Sequence, residues 1–264
     1  MSPSDSRLET PPKGSGPTPT PGNADAPWDE FDSDAYFQHN YGELRKDDAR
    51  IIEIIADFFQ GAFPHARHTR QLARAIDVGS GTNLYPALTM MPYSSQVTLF
   101  ERAFTNREWL KRELQHPSES WETFWTAIAS GRTAYDKFRR PLEVLHGRAH
   151  VEKGSVFSLP VADYDMGTMF FVAESITTRN DEFERAAQAF VNSLVPGAPF
   201  AAAFMRNSSG YIVGDQRFPA CMIDKPDVLR ALAPVARTVH IETVESNDLR
   251  DGYSGMMVAT GRKK

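Results

Sequence analysis

A glycine turn and an acidic residue one strand later carry the clearest chemical signal in the sequence. Ile76-Asp77-Val78 runs into Gly79-Ser80-Gly81-Thr82. A strand entering a Gly-x-Gly turn lets backbone N–H groups approach a ligand with no Cβ in the way. Leu84 stands where a dinucleotide fingerprint needs its third glycine, which counts against the pyrophosphate of NAD or FAD. Glu101, at the end of the next strand, can accept both hydroxyls of a ribose. An adenosine ligand without a pyrophosphate satisfies both facts, and S-adenosylmethionine is such a ligand. The plainer alternative is an ordinary strand-to-helix turn beside a solvated glutamate.

The flanking pattern indicates what positions these residues. Apolar positions within 46–62 fall on one face (Ile51, Ile54, Ile55, Phe58, Phe59) and predict an amphipathic helix. A shorter helix is expected over 34–41, capped by Asp34 or Ser33. Strands are expected at 75–82, 96–101, 148–154, 165–172 and 199–205, with helices at 103–115, 180–194 and 225–233 between them. Residues 118–149 read as helical, and 236–244 with 254–260 as an antiparallel pair. Strands alternating with helices give an α/β fold, a mostly parallel sheet covered on both faces with one antiparallel edge strand. Its ligand belongs at the carboxyl ends of the strands.

Composition bounds the rest. The chain has 264 residues, 41% hydrophobic and 24% charged, with 29 basic against 34 acidic residues. A net charge of -5 disfavours a nucleic-acid binder. One cysteine, Cys221, excludes an internal disulfide or cysteine zinc site and suggests a cytoplasmic setting. No apolar run is long enough for a membrane span, and the first residues do not read as a secretory signal. Residues 1–27, rich in proline, serine and threonine, are expected to be a disordered tail before one domain at 28–264. His146 with His150 and His65 with His68 have helical spacing but no acidic or cysteine partner, so no metal site is expected.

On four blocks the chain resembles the nicotinamide, phenylethanolamine and thioether (indolethylamine) N-methyltransferase family, including its bacterial members. These are Tyr36-Phe37-x-x-x-Tyr41; the glycine turn with Tyr85; Glu101 followed by Asn106; and Asn192–Gly197 with Ser208–Phe218. The resemblance runs from about Asp34 to the C-terminus. It implies a class I methyltransferase, Rossmann-like fold of seven strands, binding S-adenosylmethionine and releasing S-adenosylhomocysteine. It further implies a helical N-terminal lid at 28–62, a helical insertion at 116–147 over the substrate, a monomer, and bacterial secondary metabolism. Carried over by position, Tyr36 and Tyr41 would close over the cofactor. Gly79, Ser80, Gly81 and Tyr85 would meet its methionine part. Glu101 and Asn106 would hold the ribose, Ser155 and Val156 the adenine, and Arg102 would also contact the cofactor. Phe170 or Phe171 would lie under the sulfonium.

The departures bear on the substrate. Where the amine enzymes place an acid at the tip of the fifth strand, the alignment puts Phe204. Near the fourth strand only Glu174 remains among Phe170-Phe171-Val172-Ala173. A flat aromatic, indole-like acceptor methylated on nitrogen or ring carbon fits better than a cationic amine, which stays as the alternative with Glu174 as its partner. Methyl transfer needs mainly alignment and exclusion of water. Glu174 and Tyr211 are the candidates to take a proton, against a capping carboxylate and a packed strand tyrosine. Trp121, Phe124 and Trp125 share one helical face and are either core or a cap over the substrate, with Trp28, Phe31 and Phe204 completing its pocket. A cofactor-binding regulator without catalysis and a nicotinamide-dependent dehydrogenase are the competing classes.

Overall fold

The computed structural model describes residues 22–63, 73–245 and 254–264; most of 1–27 and the pair His65 and His68 lie outside them. Seven strands form one sheet: β1 (Ala73–Val78), β2 (Ser94–Glu101), β3 (Ala149–Lys153), β4 (Met166–Phe170), β5 (Pro199–Met205), β8 (Ala236–Val244) and β9 (Met256–Lys263). Their spatial order is β3-β2-β1-β4-β5-β9-β8. All neighbours pair in parallel except β9, which runs antiparallel to both β5 and β8. The antiparallel strand belongs to the edge pair and lies one place in from the rim.

Alternation along the strands divides the core in two. Ala75, Met166, Phe170, Ala201 and Ala203 face one layer, Ile76, Met169, Phe200, Ala202 and Phe204 the other. The first layer is packed by α1 (Ser33–Tyr41), α2 (Lys46–Ala62), α3 (Tyr85–Met90), α4 (Phe104–Gln115), α5 (Ser120–Ala129) and α6 (Pro141–His146). The second is packed by α7 (Asn180–Asn192) and α8 (Lys225–Leu232). Both faces of β4 are therefore dry, and all five of its residues are buried, Thr168 among them with its hydroxyl hydrogen-bonded.

α2 spans the expected 46–62, and its Ile51, Ile52, Ile54, Ile55 and Phe59 are buried. α1 begins one residue early, because Asp32 rather than Ser33 or Asp34 caps it, accepting from Ala35 N at 2.9 Å. The continuous helical reading of 118–149 is corrected to two helices. Between them the buried Arg132 donates to the carbonyls of Ala127, Ile128 and Ser130 and meets Asp57 Oδ1 at 2.6 Å, tying the end of α5 to α2. A small hairpin, β6 (Tyr211–Val213) and β7 (Gln216–Phe218), had no sequence expectation. Among the described residues no helix is long and apolar enough to cross a membrane.

The folded part also begins earlier than the expected boundary at residue 28. Asn23 is buried and donates its backbone N–H to Glu182 Oε2 at 3.0 Å, and Trp28 Nε1 donates to its carbonyl at 2.8 Å.

Candidate functional site

The order of the sheet reverses between β1 and β4, and the glycine turn leaves β1 at that point. Gly79 and Gly81 have φ of +67° and +56°. A Cβ on Gly79 would stand 2.5 Å from Val172 Cγ2, so this turn accepts only glycine there without displacing the loop after β4. Gly79 N donates to the Phe100 carbonyl at 2.7 Å, locking the turn to the end of β2. Beneath it Ser80 Oγ donates to the Asp77 carbonyl at 3.0 Å, and Thr168 Oγ1 donates to Asp77 Oδ1 at 2.6 Å. Burial pushes the Asp77 carboxyl up to about 7.

Glu101 ends β2 facing the turn. Its Oε2 accepts from Gly81 N at 2.8 Å and its Oε1 from Ala103 N at 2.7 Å. Burial raises its pKa, opposed by those two donors. Asn106, one turn into α4, accepts from Ser33 Oγ at 2.7 Å and so links α4 to α1. At the tip of β4, Phe171 has φ of +57°, a conformation a bulky side chain adopts only where the surroundings impose it.

These groups surround a cavity of about 830 Å³. Gly79, Ser80, Gly81, Glu101, Arg102 and Asn106 line one side, Ser155 and Val156 another, and Phe170 and Phe171 its floor. Trp28, Phe31, Tyr36, Tyr41 and Tyr211 close it from above. Phe218 of the hairpin holds this roof, with its ring centroid 5.3 Å from Trp28, 5.1 Å from Phe31 and 5.4 Å from Tyr211. Asn23, Asn83, Phe100, Gly154, Ser175 and Ile176 also line the cavity and were missed. Phe100 was within reach of the sequence, because it adjoins Glu101 on a strand already assigned. Asn23 was hidden by its proline-rich surroundings.

Five expected site residues lie elsewhere. Tyr85 is fully buried under Tyr41 and Phe124, its hydroxyl donating to Asp48 Oδ1 at 3.2 Å. Trp121 is core: it packs on Phe37 and Tyr41, and its Nε1 donates to Glu113 Oε1 at 2.8 Å. Trp125 packs against Tyr135 and Phe138, away from the cavity. Phe204 points to the opposite face of the sheet, against Phe183 of α7. Strand alternation makes Met205 the residue of β5 that reaches the site, one position from the aligned one. Glu174, expected as a base, is sealed: it has no exposed surface and its Oε1 accepts from Met205 N at 2.9 Å and Ser175 Oγ at 3.2 Å. Burial pushes it up to about 7. Tyr211 does line the cavity, and burial holds its phenol well above the ordinary range.

Two further cavities adjoin the first. An outer cleft of about 1580 Å³ shares Tyr36 and Tyr211 with it and is bordered by His39, Asn40, Met205, Ser208 and Arg217. A smaller space of about 310 Å³ shares Tyr36, Tyr41 and Phe171 with the first cavity, and Tyr36, Asn40 and Met205 with the cleft. It is the junction of the two. His150 lies apart, on β3 against Thr98, and the described residues contain no group of three or more His, Cys, Asp or Glu placed to hold a metal ion.

The cradle suits an adenosyl sulfonium. Its lining offers a glycine turn, the Glu101 carboxylate, an apolar wall at Val156 and the aromatic rings of Phe170 and Phe171, groups able to hold such a molecule.

Comparison with known proteins agrees with this fit. A family model described as the NNMT/PNMT/TEMT family matches residues 23–264. No curated protein sequence matches significantly. Among solved structures, the N-methyltransferase NodS of Bradyrhizobium japonicum WM9, in complex with S-adenosylhomocysteine, superposes with a TM-score of 0.53 at 9% identity, covering 89% of this chain and 94% of that one. A magnesium protoporphyrin IX methyltransferase of Synechocystis PCC 6803 with bound S-adenosylmethionine gives 0.53 at 10% identity, over 88% and 92%. A methyltransferase dependent on S-adenosylmethionine from Methanosarcina mazei gives 0.50 at 12% identity, over 75% and 95%. At these identities the likeness is one of fold.

Proposed function

The chain belongs to the NNMT/PNMT/TEMT family of methyltransferases dependent on S-adenosylmethionine, and from that premise we propose that it methylates a nitrogen or ring carbon of an aromatic, indole-like metabolite of secondary metabolism. When bound, S-adenosylmethionine supplies a methyl group activated on a sulfonium. What the chain adds is alignment. The observation that carries the reading is the aromatic partition of Tyr36 and Tyr211, which separates the cofactor cavity from the outer cleft and leaves a passage between Tyr41, Phe171 and Met205. A flat acceptor entering from the outer cleft would direct its nucleophilic atom toward Phe170 and Phe171. Holding acceptor and donor in line in a dry passage supplies on the order of 7–11 kcal/mol of barrier lowering.

Glu101 and Asn106 hold the ribose in this reading, and the glycine turn holds the amino acid part. The amine alternative loses its proposed partner, since Glu174 borders none of the three cavities.

The test is a calorimetric titration with S-adenosylhomocysteine on wild type and Glu101→Ala, followed by mass-spectrometric assay of methyl transfer to indole, tryptamine and their ring-substituted analogues. Loss of a charged acceptor of two backbone N–H groups is expected to weaken binding about 10–100-fold. Tight binding with no transfer to any of these acceptors favours a regulatory module; no binding overturns the reading.

A further inference from the structure

The junction contains a carboxylate that the reading above does not use. Asp48, in the first turn of α2, is only 5% exposed, yet it lines the 310 Å³ space together with Tyr36, Asn40, Tyr41, Phe171 and Met205. Glu101 is the one carboxylate bordering the cofactor cavity, and its oxygens face the glycine turn. None borders the described part of the outer cleft. Asp48 is therefore the carboxylate that lines the space adjoining both the cofactor cavity and the outer cleft.

Resting on the methyltransferase reading, we infer that Asp48 is a catalytic residue, which pairs with a nitrogen acceptor and takes the proton that nitrogen gives up. The acceptor N–H bond breaks and its electron pair stays on nitrogen to bond the methyl carbon. An O–H bond forms on Asp48, and that proton leaves to water through the outer cleft. The donor's positive charge is cancelled as its sulfur keeps the pair of the broken C–S bond, so charge balances with no further reactant.

Three features fit Asp48 to this. Its Oδ1 accepts from Tyr85 OH at 3.2 Å, which fixes the carboxylate in one orientation. Burial first, and the charge of Asp48 after it, hold the Tyr85 phenol well above its ordinary range, so it remains a donor to the carboxylate. Asn40 is held by its own amide on the Tyr36 carbonyl at 2.8 Å, which keeps the neighbouring wall rigid. Position separates Asp48 from Glu174, which lies behind Ser175 and outside the passage.

The test compares wild type, Asp48→Asn and Tyr85→Phe, each first shown to bind S-adenosylhomocysteine with unchanged affinity. Tryptamine is then titrated into each S-adenosylhomocysteine complex, and kcat and KM for tryptamine methylation are measured. Asp48→Asn is expected to weaken tryptamine binding at least tenfold and to lower kcat about 10²–10⁴-fold. Tyr85→Phe keeps the carboxylate but removes the bond that orients it, and is expected to lower kcat by less than Asp48→Asn does. Equal tryptamine binding and kcat in wild type and Asp48→Asn overturn the role of Asp48 and leave the methyltransferase reading standing. A loss in Tyr85→Phe larger than in Asp48→Asn overturns it too, since the hydrogen-bonded pair rather than the carboxylate would then be what matters. Wild type that binds S-adenosylhomocysteine and methylates indole, but neither binds nor methylates tryptamine, overturns a nitrogen-directed carboxylate. Wild type that methylates no aromatic acceptor overturns the reading beneath it.

Discussion

A carboxylate with no exposed surface is costly when charged, and Glu174 shows what the protein does with one. Its Oε1 holds the end of β5 through Met205 N, while Oε2 is buried with no hydrogen-bond partner. Burial lifts its pKa from 4.5 to about 7. The folded state thus binds this proton more tightly than the unfolded chain does. The stability that follows is fully present below about pH 4.5 and is lost as pH rises through 7. Glu174→Gln keeps an oxygen for Met205 N and carries no charge, so it is expected to match wild type near pH 5. At pH 8 it should be more stable, by about 3 kcal/mol at most. Thermal unfolding of both proteins at the two pH values checks this; a variant no more stable than wild type at pH 8 would show that Glu174 ionises freely where it is. This role, clamping the loop after β4 to β5, replaces the acid–base role its sequence position suggested.

At the scale of elements, the glycine turn separates conformational strain from crowding. Both Gly79 and Gly81 are left-handed, but a Cβ on Gly81 would have nothing nearer than the Gly79 carbonyl oxygen at 3.8 Å. Gly81→Ala is expected to lose only about 1–2 kcal/mol of stability. Gly79→Ala adds the collision with Val172 and should also abolish measurable binding of S-adenosylhomocysteine, because the turn and the loop after β4 both line the cavity. Paired denaturation and calorimetry resolve the two; equal losses in both variants would mean that Val172 yields freely. The turn was legible because a strand, two glycines and an acid one strand later constrain one another through backbone geometry. The tip of β5 was not. A pattern of Phe-Ala-Ala-Ala-Phe-Met over 200–205 gives no contrast between faces, so only pairing with β4 and β9 fixes that Met205 rather than Phe204 looks into the site. The same holds for α5: Trp121, Phe124 and Trp125 share a face whether that face covers a ligand or a core, and Glu113 satisfying the indole N–H settles Trp121 as core. Asp48 gave no signal at all, since an acid in the first turn of a helix is explained by the helix dipole alone.

At the scale of the whole molecule, the site is closed by the segment least like the rest of the domain. Residues 22–32 cross from α7 to α4. Asn23 binds Glu182 on α7, Arg102 donates to the Asn23 carbonyl at 3.3 Å, and Phe104 N at the start of α4 donates to Asp29 Oδ1 at 2.8 Å. Trp28 and Phe31 then lie over the cofactor cavity against Phe218. The sheet, its glycine turn and Glu101 can form without this strap, because the contacts that build them come from residues after 73. Closure cannot, and in the proposed reading a roof of aromatic rings keeps water from the passage. A chain beginning at Gly22 is therefore expected to bind S-adenosylhomocysteine within about twofold of the full chain, which corresponds to about 0.4 kcal/mol. A chain beginning at Asp32 keeps the cap of α1 and should still fold, with its two core layers intact. Its affinity should fall at least tenfold, about 1.4 kcal/mol, with the loss appearing mainly as faster dissociation, since the opened cavity admits the ligand freely and no longer retains it. Stopped-flow release of S-adenosylhomocysteine from the three chains checks this. Equal release from the chain beginning at Asp32 would make Tyr36 and Tyr211 sufficient as a roof and reduce the strap to packing.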